Sequence, residues 1–146
     1  MTPNSSVNVS YVDLVKQIAA EQGVDPALGC AVAEHESSWN PWAVRYEPAF
    51  YMRYIEEMRL PPTEAQGRAF SYGLMQIMGQ TARELGFAGK YLSELFDPEQ
   101  GILYGMKKLS LCVNKTSTVR DALLRYNGGG NPDYPDMVIP LISKFE

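Results

Sequence analysis

Cysteine, histidine and long apolar runs are what this 146-residue sequence has least of, and each scarcity removes a class of function. Its two cysteines, Cys30 and Cys112, are too few for a disulfide framework, and both fall in helical patterns that favour buried free thiols. His35 is the only histidine, so neither a zinc site nor a Ser-His or Cys-His nucleophile is well supported, and no metal or cofactor is expected. No apolar run approaches the length of about 18 residues that a membrane-spanning helix needs. Basic residues are outnumbered, 13 against 17 acidic, and no basic cluster interrupts the net charge of −4. That balance argues against a nucleic-acid partner and against adhesion to an anionic surface by charge alone. Residues 1–10 have neither the basic start nor the apolar stretch of a signal peptide; residues 1–9 read as a loose lead-in.

What remains is the composition of an ordinary globular protein, 45% hydrophobic and 21% charged, expected to form one domain over residues 1–146. The fold class expected is all-α. Ser10 can cap a helix running to about Gln22, with Val12, Leu14, Val15, Ile18 and Ala19 as its apolar face and Gly23 as its stop. Asp25-Pro26 opens a second helix that Pro41 ends. Pro48 starts a third, to about Leu60, and Thr63-x-x-Gln66 has the form of a capping box. A short helix follows from Gly79 to Leu85 and a further turn over Tyr91–Phe96. Asp97-Pro98 opens a long helix to about Lys115, Thr118 caps one to Tyr126, and Pro135 opens the last. No strand is expected.

The second helix carries the oddity of the sequence. At 100° per residue Gly29, Val32 and Ala33 share one stripe, with Leu28 at its edge, and Glu36 falls in the middle of it. Apolar neighbours and the negative end of the helix dipole both disfavour a carboxylate there. Both raise its pKa, which is what a general acid needs near neutral pH. Glu34 points to another face and lacks that setting. On spacing alone, an ion pair or hydration at the helix end is the simpler account of Glu36, and the burial and dipole arguments favour the acid.

Three further stretches are chemically suggestive. Ser71-Tyr-Gly-Leu-Met-Gln-Ile-Met78 is an apolar run around a single amide, Gln76, which reads either as a core group satisfying backbone or as a ligand contact. Tyr126-Asn127-Gly128-Gly129-Gly130 is a helix end running into glycines, and no Lys-Ser or Lys-Thr follows to make it a phosphate loop. Trp39, Trp42, Tyr46, Phe50, Tyr51 and Tyr54 gather aromatic rings near Glu36, where they serve as core or as platforms for sugar rings.

Taken together, Glu36-Ser-Ser-Trp-Asn-Pro41, Gly73-Leu-Met-Gln-Ile-Met78 with Thr81-Ala82, and Ala122-Leu-Leu-Arg-Tyr-Asn-Gly-Gly129 closely resemble the three signature blocks of soluble lytic transglycosylases. That family belongs to the lysozyme-like superfamily, which also holds goose-type lysozyme. Asp97-Pro98, Gly101-Ile102 and Gly105 match the helix that the family places between its second and third blocks. The resemblance implies a lysozyme-like helical domain with a groove for peptidoglycan glycan strands. It also implies cleavage of the β-1,4 bond between N-acetylmuramic acid and N-acetylglucosamine. By position it makes Glu36 the acid and then the base, with the muramic C6 hydroxyl as nucleophile and a 1,6-anhydro end as product. Tyr126 is expected to hydrogen-bond Glu36, and Gln76, Met78 and Asn127 to line the groove. Ser37, Tyr72 and Glu47 are further substrate-side candidates.

Such a reaction needs one carboxylate, because the substrate supplies the nucleophile that a second carboxylate otherwise provides or activates. The sequence departs from the family's pattern between the first two blocks. Thirty-six residues separate Glu36 from Gly73, and Phe70-Ser71-Tyr72 stands where a Gly-Ala pair is usual. Glu47 lies in that stretch. If it held a water, the enzyme would be a goose-type-like muramidase, and without catalysis the chain would be a glycan-binding structural module. Compact size and the residues at the N-terminus fit a phage lysin or virion-borne enzyme, acting as a monomer on the cell wall without membrane insertion.

Overall fold

The computed structural model describes the backbone of residues 3–146 and the side chains from Tyr11 onward. Its centre is helix α2 (Pro26–Ser37), opened as expected by the Asp25 carboxylate, which accepts from the Ala27 N–H, and by Pro26 in the first turn. Every residue from Ala27 to Ala33 is buried, so α2 is apolar on all sides rather than along one stripe, and exposure begins only at Glu34.

Around α2 pack α1 (Pro3–Glu21), α6 (Pro98–Asn114), α7 (Val119–Tyr126) and α8 (Tyr134–Ile142). Val15 and Ile18 of α1, Met106 and Leu109 of α6, Leu123 of α7 and Val138 of α8 close one core with Val32, Leu74 and Met75. The backbone is already helical at Pro3, upstream of the cap expected at Ser10; that side chain and residues 1 and 2 of the expected lead-in lie outside the described residues. Asp97 accepts from the Gln100 N–H and Thr118 from the Asp121 N–H, as their positions before α6 and α7 dictate. Cys30 and Cys112 are buried free thiols.

A lobe on the other side of the cleft differs from expectation. It holds a three-stranded antiparallel sheet, β1 (Val44–Tyr46), β2 (Phe70–Tyr72) and β3 (Ile77–Met78), in that spatial order. Strands of two or three residues are too short for a period-of-two pattern to register. The helix expected over Pro48–Leu60 is broken into α3 (Pro48–Phe50), a wide π turn (Tyr51–Ile55) and a 3-10 turn (Glu56–Met58), and Arg59 ends it at φ 53°. No capping box forms at Thr63, because Pro62 starts α4 (Pro62–Arg68) one residue earlier with no side-chain cap. Helix α5 (Gly79–Glu84) and a 3-10 turn over Leu92–Phe96 fall where expected.

Two glycines hold the lobes together. Gly73 turns β2 towards β3 at φ 72°. Gly105 lets α6 lie against that turn, since a Cβ there would stand 2.6 Å from the Cβ of Met75.

Candidate active site

The C-terminal turn of α2 delivers His35 and Glu36 to a cavity of about 600 Å³ between the helical core and the sheet. The chain then leaves sharply: Ser38 and Trp39 both have positive φ, and the Ser38 N–H donates to the Glu34 carbonyl. This helix end leaves the Glu36 carboxyl facing the cavity. Tyr134, the first residue of α8, donates its hydroxyl to Glu36 Oε2 at 2.5 Å. Burial is the largest influence on Glu36 and raises its pKa above the usual carboxylate range. The Tyr134 bond and the charges of His35, Lys108 and Arg45 oppose the rise without cancelling it. Burial, and next the neighbouring Glu36, push the Tyr134 hydroxyl far upward, so it remains a donor.

The sheet supplies the opposite wall. Its register pairs Arg45 with Ser71 and Ser71 with Met78, and these three side chains reach the cavity as one row. Glu47, two residues beyond Arg45, reaches it too and accepts an ion pair from Arg45 at 3.0 Å. Tyr72 belongs to the alternate row. Its ring is buried with Ile77 and Leu95, and its hydroxyl donates to the Gly67 carbonyl at 2.8 Å, away from the cavity. Strand alternation thus excludes Tyr72 from the groove, against expectation.

Gln76 sits in the turn before β3 at φ 52°. Its amide nitrogen donates to the carbonyls of Ala43 and Gly73, each at 3.0 Å, and its carbonyl oxygen remains the end available to a ligand. The structure realises the backbone-satisfying role expected for this residue and leaves it on the cavity wall. Met78 and Asn127 also line the cavity, the latter from the C-terminus of α7.

Tyr126 lines the cavity but does not hold Glu36. It is buried, and its hydroxyl donates to the Met75 carbonyl at 2.7 Å, pinning α7 to the β2–β3 turn. The orienting hydroxyl is Tyr134, which no sequence block marks; its only signal is an aromatic residue just before the helix-opening Pro135. Ser37 is absent from the cavity as well. Its hydroxyl donates to the Ala33 carbonyl at 2.9 Å and accepts from the Trp39 N–H, closing the helix end. Of the six aromatic residues near Glu36 in sequence, Phe50 alone borders this cavity. Trp39 packs edge-on to Phe145 behind it, and Trp42 is 70% exposed beside Phe96.

Lys108 is another cavity residue that sequence reasoning passed over. It shares a face of α6 with Gly101, Gly105 and Cys112, and a lysine on so buried a face was the available clue. Its ammonium donates to the Tyr126 carbonyl at 2.7 Å and lies 4.4 Å from the centre of the Tyr126 ring. Among the described residues no three His, Cys, Asp or Glu side chains come together as a metal site.

A mostly helical domain with a desolvated glutamic acid lining a polar cleft is consistent with the lysozyme-like class that the sequence resembles. Comparison with known families narrows this: the Transglycosylase SLT domain matches residues 13–134, and the chain belongs to that family. It is similar to the membrane-bound lytic murein transglycosylase C of Edwardsiella ictaluri, 32% identical over a 133-position alignment that covers 82% of this chain and 31% of that protein. The proteins of the same name from Photorhabdus laumondii and Yersinia pestis are 30% and 32% identical over the same shares of each chain. The chain thus spans about a third of the length of the curated relatives it matches. No solved structure matched it. Among the described residues no helix is long and apolar enough to cross a membrane.

Proposed function

We propose that this domain cleaves the β-1,4 bond between N-acetylmuramic acid and N-acetylglucosamine in peptidoglycan as a lytic transglycosylase, with Glu36 as its only acid and base. The supporting observation is the setting of Glu36, a carboxyl that borders the cavity, accepts from the Tyr134 hydroxyl and has its pKa raised by burial. The Glu36 proton passes to the glycosidic oxygen, the bond to the anomeric carbon breaks, and N-acetylglucosamine leaves with the new hydroxyl. Tyr134 then holds the resulting carboxylate by a charge-assisted bond. The muramic C6 hydroxyl attacks the anomeric carbon and returns its proton to Glu36, which closes the 1,6-anhydro ring without water. Gln76 and Asn127 offer amide groups to the acetamido or hydroxyl groups of the sugars, and Met78 and Phe50 offer apolar surface to ring faces. The residues named here all come from one chain, which supports action as a monomer. The expectation of a phage lysin or virion-borne enzyme has no residue of the site behind it, and the reaction proposed is the same by either route to the wall.

A second reading, hydrolysis, draws on one observation: Glu47 borders the same cavity and is a second carboxylate. Its ion pair with Arg45 weighs against that, because a carboxylate committed to a guanidinium is a poor base for water. A non-catalytic glycan-binding module has no use for an acid with a raised pKa. Digestion of purified walls in oxygen-18 water tests all three. Transglycosylation yields unlabelled anhydro ends, hydrolysis yields labelled reducing ends, and a binding module yields neither; either of the last two results overturns the proposal.

A further inference from the structure

Among the described residues three side chains able to carry positive charge border the cavity, His35, Arg45 and Lys108. The mechanism above uses none of them. Arg45 is mostly exposed and paired with Glu47, so its charge is both screened and neutralised. His35 stands edge-on to the Tyr134 ring at 5.2 Å. Lys108 differs. It forms no ion pair among the described residues, and what holds it is neutral: the Tyr126 carbonyl and the Tyr126 ring face. An ammonium taken out of water without a carboxylate is costly to the fold, and an apolar or neutral residue there would be cheaper. Such a charge is also poorly screened, so it acts strongly on whatever else shares the cavity.

We propose that Lys108 is a positioning residue for the reaction: an unpaired ammonium, fixed over Tyr126 in the cavity wall, that stabilises Glu36 as a carboxylate once its proton has passed to the leaving oxygen. The inference rests on the reading of Glu36 as the acid. Lys108 gives and takes no proton. Its positive charge offsets the negative charge that appears on Glu36 when the bond to the anomeric carbon breaks, and the offset ends when the C6 hydroxyl returns the proton. Such fixed charges are most effective in sites that exclude water.

The surroundings leave this role to Lys108. It shares the cavity with Glu36 and His35 from α2 and with the Arg45–Glu47 pair from the sheet side. Tyr126 and Tyr134, from α7 and α8, are held as neutral hydroxyls by burial. On its own helix Cys112 lies one turn on, and burial holds its thiol neutral also. Burial lowers the pKa of Lys108, and the Glu36 carboxylate acts against that. Glu36 in turn is lowered by Lys108 against its own burial.

Two neutral variants test the proposal. Lys108→Gln keeps a donor for the Tyr126 carbonyl, and Lys108→Met keeps only the length of the side chain; Lys108→Arg preserves the charge. The first readout is the titration of the Glu36 carboxyl, followed by carbon-13 NMR of the full chain without substrate. The second is the pH profile of wall cleavage. In both neutral variants the Glu36 midpoint and the alkaline limb of kcat/KM should move up by about one pH unit. Turnover should fall about ten-fold, and Lys108→Arg should restore both readouts. A folded Gln or Met variant with an unmoved Glu36 midpoint overturns the proposal, even where its melting temperature has changed. The NMR arm stands without any activity, so a wild-type chain that leaves walls intact refutes the reading of Glu36 and not the coupling.

Discussion

Glu34 and Glu36 lie two residues apart on one helix, and the protein treats them in opposite ways. Glu34 turns outward to the C-terminal end of the chain, where Lys144 donates to both its oxygens at 2.8 and 2.9 Å and the Trp39 indole N–H donates at 3.1 Å. Burial alone would raise its pKa, but those donors outweigh it and the net shift is downward. Glu36 turns inward to a cavity where burial outweighs a single hydroxyl donor and the net shift is upward. Glu64 repeats the first pattern in the other lobe, its oxygens shared between Arg83 and Arg68 and its pKa lowered chiefly by the Arg83 bond. A glutamate becomes a structural anion where guanidinium or ammonium groups satisfy it. It becomes an acid where the protein removes water and supplies little positive charge in direct contact.

The largest effect should come from exchanging the chemistry at one position only. Glu36→Gln has nearly the same shape but no proton to give, so wall cleavage should fall by about a thousand-fold or more. Glu34→Gln should stay within a few-fold of wild type. Near-equal losses in a turbidity assay, with both folds confirmed by circular dichroism, would falsify the distinction between the two carboxyls.

The next effect separates the two tyrosines. Tyr134→Phe removes the one hydroxyl on Glu36, a charge-assisted bond worth about 1.5–3 kcal/mol, and should lower kcat by roughly ten- to a hundred-fold. It should also move the alkaline limb upward, since the lost bond favoured the carboxylate. Tyr126→Phe leaves the Met75 carbonyl unpaired in the core and should cost about 1–3 kcal/mol of stability, with a smaller loss of turnover. A reversed pattern, measured by kinetics beside thermal melts, would return the orienting role to Tyr126.

How much of this the sequence disclosed can be read from the same residues. The helices were legible because Asp25-Pro26, Asp97-Pro98 and Thr118 are start signals with a local mechanism. Glu36 was legible because a carboxylate stood out against apolar neighbours. Tyr134 was not: it reaches Glu36 across 98 positions of sequence, and nothing local distinguishes it from any aromatic residue at a helix start. Ser37 and Tyr72 were misplaced for a related reason. Proximity in sequence to Glu36 and Gln76 set the expectation, but a helix-end hydrogen bond and strand alternation decide where those side chains point. The sheet itself was hidden by strands too short to show a period.

Two smaller effects sharpen the comparison further. Glu47→Gln should change cleavage by less than about three-fold if the Arg45 pair is structural, since an exposed pair contributes about 0–1 kcal/mol. A loss close to that of Glu36→Gln would mark Glu47 as a second catalytic carboxyl. Stability against pH should also split the two sites. The Glu34 pKa is depressed, so its contribution is present above the ordinary carboxylate pKa and is lost as pH falls through the folded value. Lys144→Ala should therefore lower stability at neutral pH by about 0.2–1 kcal/mol, and the difference should shrink in acid. Glu36 has the opposite sign. Its raised pKa favours the fold below the ordinary value, and that benefit is lost as pH rises through the folded value, so Glu36→Gln should equal or exceed wild type in stability at neutral pH. Urea melts at two pH values measure both.

The most direct test is to titrate the two carboxyls side by side in the wild-type chain, by carbon-13 NMR with Glu36→Gln and Glu34→Gln used for assignment. Glu36 should titrate above the ordinary glutamate value and Glu34 below it, with the order preserved in moderate salt. A Glu36 midpoint at or below that of Glu34 would contradict its selection as the acid, whatever the lysis assays showed.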